Sequence, residues 1–207
     1  MAKKMIMISV ICVTALSGAA WAQTGLLTRN PTEARSGLYV LDPAHGKITW
    51  SVSHMGFSTY AGQFTNVFAN LDLNVEKPSA SRLNATVMME SAGTFSKGLD
   101  QHLQTADFFD TKNHPATTFR ASSIRIVDRD TASISGDLTL RGVTRPIVIK
   151  ADFNQAGVSP ADKKYTVGFD GEAKIKRSDF GIIYGLPLLG DEVTLRLEAE
   201  FKLQEPS

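Results

Sequence analysis

Cysteine is almost absent from this chain: Cys12 is the only one in 207 residues. An intrachain disulfide framework is therefore excluded, and so is any metal site needing two thiolates. The four histidines stand at 45, 54, 102 and 114. They show no H-x-H, H-x-x-x-H or H-E-x-x-H spacing, so the sequence predicts no metal site. An excess of one charge is also missing. Lys and Arg number 22 against 21 Asp and Glu, which argues against nucleic acid as a partner and against a basic membrane-binding patch. No G-x-S-x-G elbow is present. There is no repeat at a fixed period, no low-complexity tract, and no apolar run of membrane-spanning length after the first 22 residues.

What is present begins at the N-terminus. Lys3 and Lys4 precede a nearly unbroken apolar and small-residue stretch from Met5 to Ala20. Ala20-Trp21-Ala22 fits an A-x-A cleavage site, so residues 1–22 read as a secretory signal peptide cut after Ala22. A membrane-spanning helix is the competing reading, but the run falls short of the roughly 20 residues a span needs. Cleavage removes Cys12, Lys3 and Lys4. About 185 residues then remain, with twenty basic side chains against twenty-one acidic, a formal charge near −1. That length suits one domain, stabilised by an ordinary core.

Residues 23–37, rich in Thr, Asn, Pro, Arg and Gly, read as a flexible N-terminal arm. From 38 to 204 the signal is period two, the mark of strands with one buried face. Ile48, Trp50, Val52 and His54 share a face, as do Val67, Ala69, Leu71 and Leu73. Leu83, Ala85, Val87 and Met89 form a third set. Ala132, Ile134, Gly136, Leu138 and Leu140 form a fourth, and Ile147, Ile149, Ala151 and Phe153 a fifth. Alternation continues over Tyr165–Ile175 and Val193–Leu203. Turn signals separate the sets at Glu76–Ser79, Asp128–Asp130, Arg141-Gly142 and Ala156–Lys164. One segment differs: Ser96–Asp107 carries Leu99 and Leu103 four apart behind a capping Ser96, and predicts a short helix. The absence of βαβ alternation makes the fold all-β and antiparallel. Small inward residues such as Ala69, Ala85, Gly136, Ala151 and Gly171 favour a barrel of about eight strands over a sandwich, because they leave room inside.

A set of fixed points follows the same order as a known family. Tyr39-Val40-Leu41-Asp42-Pro43-Ala44-His45 opens it, then His54-Met55-Gly56-Phe57 and Gly62-Gln63-Phe64. Asp100-Gln101-His102-Leu103, Asp107-Phe108-Phe109-Asp110, His114-Pro115 and Thr118-Phe119 follow. Gly136 to Thr144 precedes Pro146, and Arg177-Ser178-Asp179-Phe180-Gly181 precedes Gly190-Asp191-Glu192-Val193. In number, order and spacing these motifs resemble the YceI-like family of lipid- or polyisoprenoid-binding proteins. The resemblance implies an extended, lipocalin-like antiparallel barrel with a helical insert near one mouth. It implies a tunnel for an isoprenoid lipid, such as a polyprenyl chain or a quinone tail, and a periplasmic location that agrees with the signal peptide. It implies neither a cofactor nor a catalytic residue. A homodimer is left open, with no interface to point to.

A tunnel for a prenyl chain needs a deep apolar wall and little else. The expected ligand contacts are Trp50, His54, Phe57, Phe64, Phe95, Phe119, Phe169 and Phe180. Leu99, Leu103, Phe108 and Phe109 are expected to cap the tunnel mouth. Arg177 and Asp179 are read as pairing with each other or with the backbone to shape a turn. Ser96, Asp100 and His102 include the residue types of a hydrolase triad, but their crowding within seven residues suits helix capping better. Two alternatives stay open: an enzyme acting on an isoprenoid or amide substrate, with His54 or Asp179 as acid-base group, and a stress-response interaction module whose barrel is filled.

Overall fold

The computed structural model describes residues 27–204, so the predicted signal peptide lies outside the described residues. The strands are β1 (Leu27–Thr28), β2 (Gly37–His54), β3 (Ser58–Phe64), β4 (Val67–Leu73), β5 (Arg82–Met88) and β6 (Ala92–Gly93). After the helix α1 (Lys97–Leu103) come β7 (Ala116–Ile126), β8 (Thr131–Leu140), β9 (Val143–Val158), β10 (Tyr165–Lys176) and β11 (Leu189–Leu203). All strand pairs are antiparallel, and the last strand returns to β2, placing Leu203 opposite Tyr39 and Leu195 opposite Trp50.

Two staves of the barrel are interrupted. β3 and β4 both pair with β2 and form one stave broken at Thr65-Asn66. β5 and β6 form another, broken by a 3-10 turn at Met89–Ser91. Counted this way, the barrel is a closed up-and-down meander of eight staves. Closure leaves every stave hydrogen-bonded on both sides, which hides the edges that an open sheet would expose. Among the described residues no helix is long and apolar enough to cross a membrane.

Local chemistry sets the turns. Arg141 and Gly142 form a two-residue hairpin with φ of 53° and 76°. Two successive positive φ values give the turn whose twist matches paired strands. Ser96 caps α1, its hydroxyl accepting from the Leu99 amide at 3.4 Å. On β2, Asp42–His45 bulge outward where the register with β11 shifts between Ala199 and Phe201.

Within residues 27–36, read above as part of the flexible arm, two short pieces carry local structure. Leu27 and Thr28 pair with Gly157 and Ala156 of β9. Pro31–Glu33 is a 3-10 turn, which Asn30 caps by accepting from the Thr32 amide at 3.2 Å. β7 is a stave the period-two reading did not delimit. A bulge between Ala121 and Ser123 moves the inward set from Thr117 and Phe119 to Ile124 and Ile126, which breaks the alternation halfway.

Candidate functional site

The inward alternation of the staves encloses a cavity of about 570 Å³, with side chains from all eight staves in its wall. Many inward apolar residues are only half-buried: Ile48, Val52, Ala151, Leu195 and Leu197 keep accessible surface although they point away from bulk solvent. A filled barrel would bury them completely, so this interior does not match the filled-barrel alternative. The opening has an identifiable cause. Ala132 pairs with Ala151, and Ala151 with Gly171, so three adjacent staves present a band of very small residues at one level. The wall follows β8 from Thr131 to Leu140. At roughly 3.3 Å per residue and a strand tilt of about 40°, the cavity is about 23 Å deep.

The helix end is capped by three segments. Leu99 and Leu103 of α1 reach the cavity, as do Phe108 and Phe109 beyond it and Ile182 and Tyr184 from the loop before β11. The His102 ring meets Phe108 at 5.0 Å and Tyr184 at 4.9 Å, edge to face, and Phe108 lies 5.3 Å from Tyr184. Phe109 packs against Phe64 at 5.5 Å. Arg141 ties the cap together, donating to the carbonyls of Ala106 (2.7 Å) and Gly181 (3.1 Å).

Arg177 builds the loop that carries Tyr184. Only 6 % exposed, it donates through Nε to Gly190 O (2.7 Å), through Nη1 to Ile182 O (3.0 Å) and Tyr184 O (2.9 Å), and through Nη2 to Leu189 O (3.1 Å). Burial pulls its pKa down, while Asp191 opposes the change. The acid of this turn is Asp191 and not Asp179. Asp191 accepts from the Ser178 amide at 2.9 Å and from its hydroxyl at 2.8 Å. Burial alone would push the Asp191 carboxyl up. The two Ser178 hydrogen bonds and the Arg177 charge outweigh it and hold the group below its ordinary value.

At the far end, Phe153, Phe169 and Phe201 stack edge to face, with centroids at 5.6 and 6.3 Å. The Pro31–Glu33 turn, Pro78 and Arg129 border the cavity there. Neither Pro31 nor Tyr184 stood out in the sequence, since neither lies on an alternating stretch. The Asn30-Pro31 cap signal was the available clue to the first.

Of the expected contacts, Trp50, His54, Phe64, Phe119 and Phe169 lie in the wall, and Leu99, Leu103, Phe108 and Phe109 in the cap. Three do not. Phe57 sits at the tip of the β2–β3 hairpin and is 90 % exposed, because the turn ends the alternation at His54. Phe95 is fully exposed in the loop before α1. Phe180 is buried in the Arg177–Phe180 turn but stays outside the wall. Asp179 is exposed and also outside the wall, so the cavity does not bring it to His54. Ser96, Asp100 and His102 each have a local role. Ser96 caps α1, Asp100 accepts from the Thr94 amide and hydroxyl at 2.7 Å, and His102 pairs with Asp107 at 2.8 Å.

Outside the barrel, the β2 bulge brings ligating atoms of Asp42, His45 and Glu200 within 4.8 Å of one another. Lys202 Nζ lies 3.6 Å from Asp42, 3.8 Å from Glu200 and 3.2 Å from Asp162, so these carboxylates already face a cation. The hydrogen bond to Asp42 raises the His45 pKa, and the same contact lowers that of Asp42.

Comparison with known proteins agrees with this architecture. The profile of the YceI-like domain matches residues 39–201. A UPF0312 protein of Azotobacter vinelandii is 33 % identical over 170 residues, covering 81 % of this chain and 88 % of that one. The crystal structure of a Campylobacter jejuni YCEI protein superposes with a TM-score of 0.64 at 31 % identity, covering 74 % of this chain and 90 % of that one. A polyisoprenoid binding domain from Saccharophagus degradans, implicated in plant cell wall breakdown, superposes with a TM-score of 0.63. It is 12 % identical and covers 82 % of this chain and 100 % of that one, a likeness of fold.

Proposed function

The chain belongs to the YceI-like domain family, and on that premise we propose that it is an exported, periplasmic, non-enzymatic carrier that holds an isoprenoid lipid or quinone tail inside its barrel. The supporting observation is the apolar tunnel itself. Leaving an apolar void of about 570 Å³ unfilled would cost on the order of 10 kcal/mol at ~24 cal/mol per Å³. That is comparable with the whole stability of a domain, so a tunnel built this way implies an occupant.

Shape narrows the occupant to a long, thin apolar chain. With C–C bonds of about 1.5 Å, an extended isoprene unit advances about 5 Å, so about five units span the tunnel. Each unit brings five carbons, and at roughly 0.8 kcal/mol per buried CH₂ the gross gain is about 4 kcal/mol per unit. No polar contact is needed for tight binding. The polyisoprenoid-binding character of the Saccharophagus degradans domain, which shares this barrel, points the same way.

The test is to purify the protein from cells that export it, extract it with organic solvent and identify the lipids by mass spectrometry. A prenyl series is the expected result. Repeated recovery of no lipid, together with no binding of prenyl chains in titration, would refute the proposal. N-terminal sequencing of the same material should begin at Gln23; material retaining residue 1 would refute export by signal cleavage.

A further inference from the structure

Among the described residues, thirteen large apolar side chains are exposed. Seven are spread over β1, the outer wall and the turn after β7, as exposed apolar residues ordinarily are. The other six gather at the capped end: Met55, Phe57, Phe95, Ile183, Tyr184 and Leu188. Met55 and Phe57 sit at the tip of the β2–β3 hairpin. The Met55 amide donates to Leu188 O at 3.0 Å, so this tip abuts the loop before β11. β6 lies antiparallel beside β3 and runs toward the same tip, which carries Phe95 to the other flank of the hairpin. The six therefore line one arc of the rim, and an apolar arc of this kind marks a surface that something covers.

Charge and backbone identify what covers it. No Lys, Arg, Asp or Glu occurs from Ile48 to Leu71 or from Gly181 to Gly190, so hairpin and loop are both free of formal charge. Behind the arc the signs balance, Lys97 and Lys112 against Asp107 and Asp110, and Lys176 against Asp179. An uncharged edge matches hydrocarbon, in which a charge would be costly. The backbone of the loop is equally suited. Water satisfies the carbonyls of an ordinary surface loop, but here six of the eight from Gly181 to Leu188 accept from within the protein. Gly181 O accepts from Arg141, and Ile182 O and Tyr184 O from Arg177. Ile183 O accepts from the Leu186 amide, Gly185 O from the Leu189 amide and Leu188 O from the Met55 amide. A loop dipped into lipid must have its backbone satisfied internally in this way.

We propose that this rim is a bilayer-docking edge. Phe57, Phe95, Ile183 and Leu188 enter the interfacial layer of a lipid membrane, and the capped mouth is held against it. Tyr184 belongs both to the edge and to the tunnel wall, so the apolar surface of the rim continues into the tunnel. The proposal rests on the carrier reading for its purpose, which is passage of the tail between tunnel and bilayer. Because no basic belt surrounds the edge, insertion drives the docking, and neither anionic lipid nor low salt is required.

Sedimentation of the exported protein with vesicles of phosphatidylcholine alone tests this. Binding should be equal at ~0.1 M and ~1 M salt. Phe57→Ser and Leu188→Ser alter exposed residues outside the tunnel wall, so fold and tail binding should be kept. Each should weaken vesicle binding about tenfold, and the pair about a hundredfold. Phe68→Ser, an exposed aromatic on the outer wall of β4, should change nothing. No binding to vesicles, loss of binding at high salt, or an equal effect of Phe68→Ser would overturn the docking edge and leave the carrier reading intact. So would self-association without vesicles that the double variant abolishes, since the arc would then face a second copy. Vesicle binding with no uptake of a prenyl chain in titration would uphold the edge and sink the carrier reading instead. Should a variant not fold, wild-type binding and its salt dependence still decide.

Discussion

Substituting Ala151 by Phe puts the hollow interior to a direct test. Ala151 lies in the wall between Ala132 and Gly171, at the level where three neighbouring staves carry almost no side chain. In a close-packed interior, a benzyl group added here would force side chains from their rotamers and cost about 1–3 kcal/mol. In a hollow one the ring enters open space and buries apolar area. The change should then be neutral or stabilising by up to about 2 kcal/mol, less than the full value of burying a Phe. Denaturant unfolding of the delipidated protein reads the difference. The same variant should weaken binding selectively. A benzyl group occupies slightly more room than one five-carbon isoprene unit. A tail long enough to fill the tunnel therefore loses about 4 kcal/mol of gross burial, up to about a thousandfold in Kd. A two-unit tail can sit beside the obstruction and should bind almost as before. Destabilisation by more than about 1 kcal/mol, or equal loss of affinity for short and long tails, would refute the reasoning.

Three further predictions concern the frame around the tunnel. Arg177→Met strips four carbonyls, one bond buried and three partly buried, of their donor, so unfolding stability should fall by about 2–4 kcal/mol and amide exchange should accelerate first in residues 182–190; unchanged protection of that loop would count against Arg177 as its organiser. At Gly62 an added Cβ would stand 2.6 Å from Trp50 Cε2 and 2.8 Å from Gly93 O, so Gly62→Ala should cost about 1–3 kcal/mol and displace the indole, read as a shift in its fluorescence. The Asp42 contact raises the His45 pKa above its ordinary 6.5, so its stabilising contribution is fully present below that value and is lost as pH rises through the folded value. Tm should accordingly decline across neutral pH in the wild-type protein and not in His45→Gln, and parallel curves would refute the linkage. Asp191 works in the opposite sense. Its pKa is lowered, so its contribution holds above the ordinary carboxylate value and fades on acidification through the folded one.

Where a residue's facing follows from alternation alone, the sequence was readable. The inward sets on β2, β4, β5, β8, β9, β10 and β11 could be written down because a strand's period is two and one face must be apolar. The helix was readable too, through Ser96 and the Leu99 and Leu103 spacing. Legibility stopped where the period is reset. One extra residue at the β7 bulge swaps the inward set, and the hairpin turn after His54 sends Phe57 out to solvent. Aromatic character by itself did not report facing, as Phe95 shows. The cap loop was harder still. Tyr184 is positioned by Arg177 through backbone carbonyls, and a carbonyl acceptor leaves no mark on residue identity. The arrangement of the far end was equally hidden, because Pro31 reaches the cavity through the tertiary pairing of Leu27 and Thr28 with β9.

The seam between β2 and β11 also governs how the protein comes into being. It joins the first long strand to the last, so Tyr39 must wait for Leu203 before the ring can shut. Contacts this distant in sequence form late and slowly. Until then β2 keeps an unpaired edge beside a concave apolar surface, the combination most prone to pair with another chain. A chain cut before Leu189 would lose more than one strand: it would leave two permanent edges and an open trough in place of a tunnel. The interior thus exists only in the finished chain, and the interval before the seam closes is when the protein is most exposed to aggregation and proteolysis.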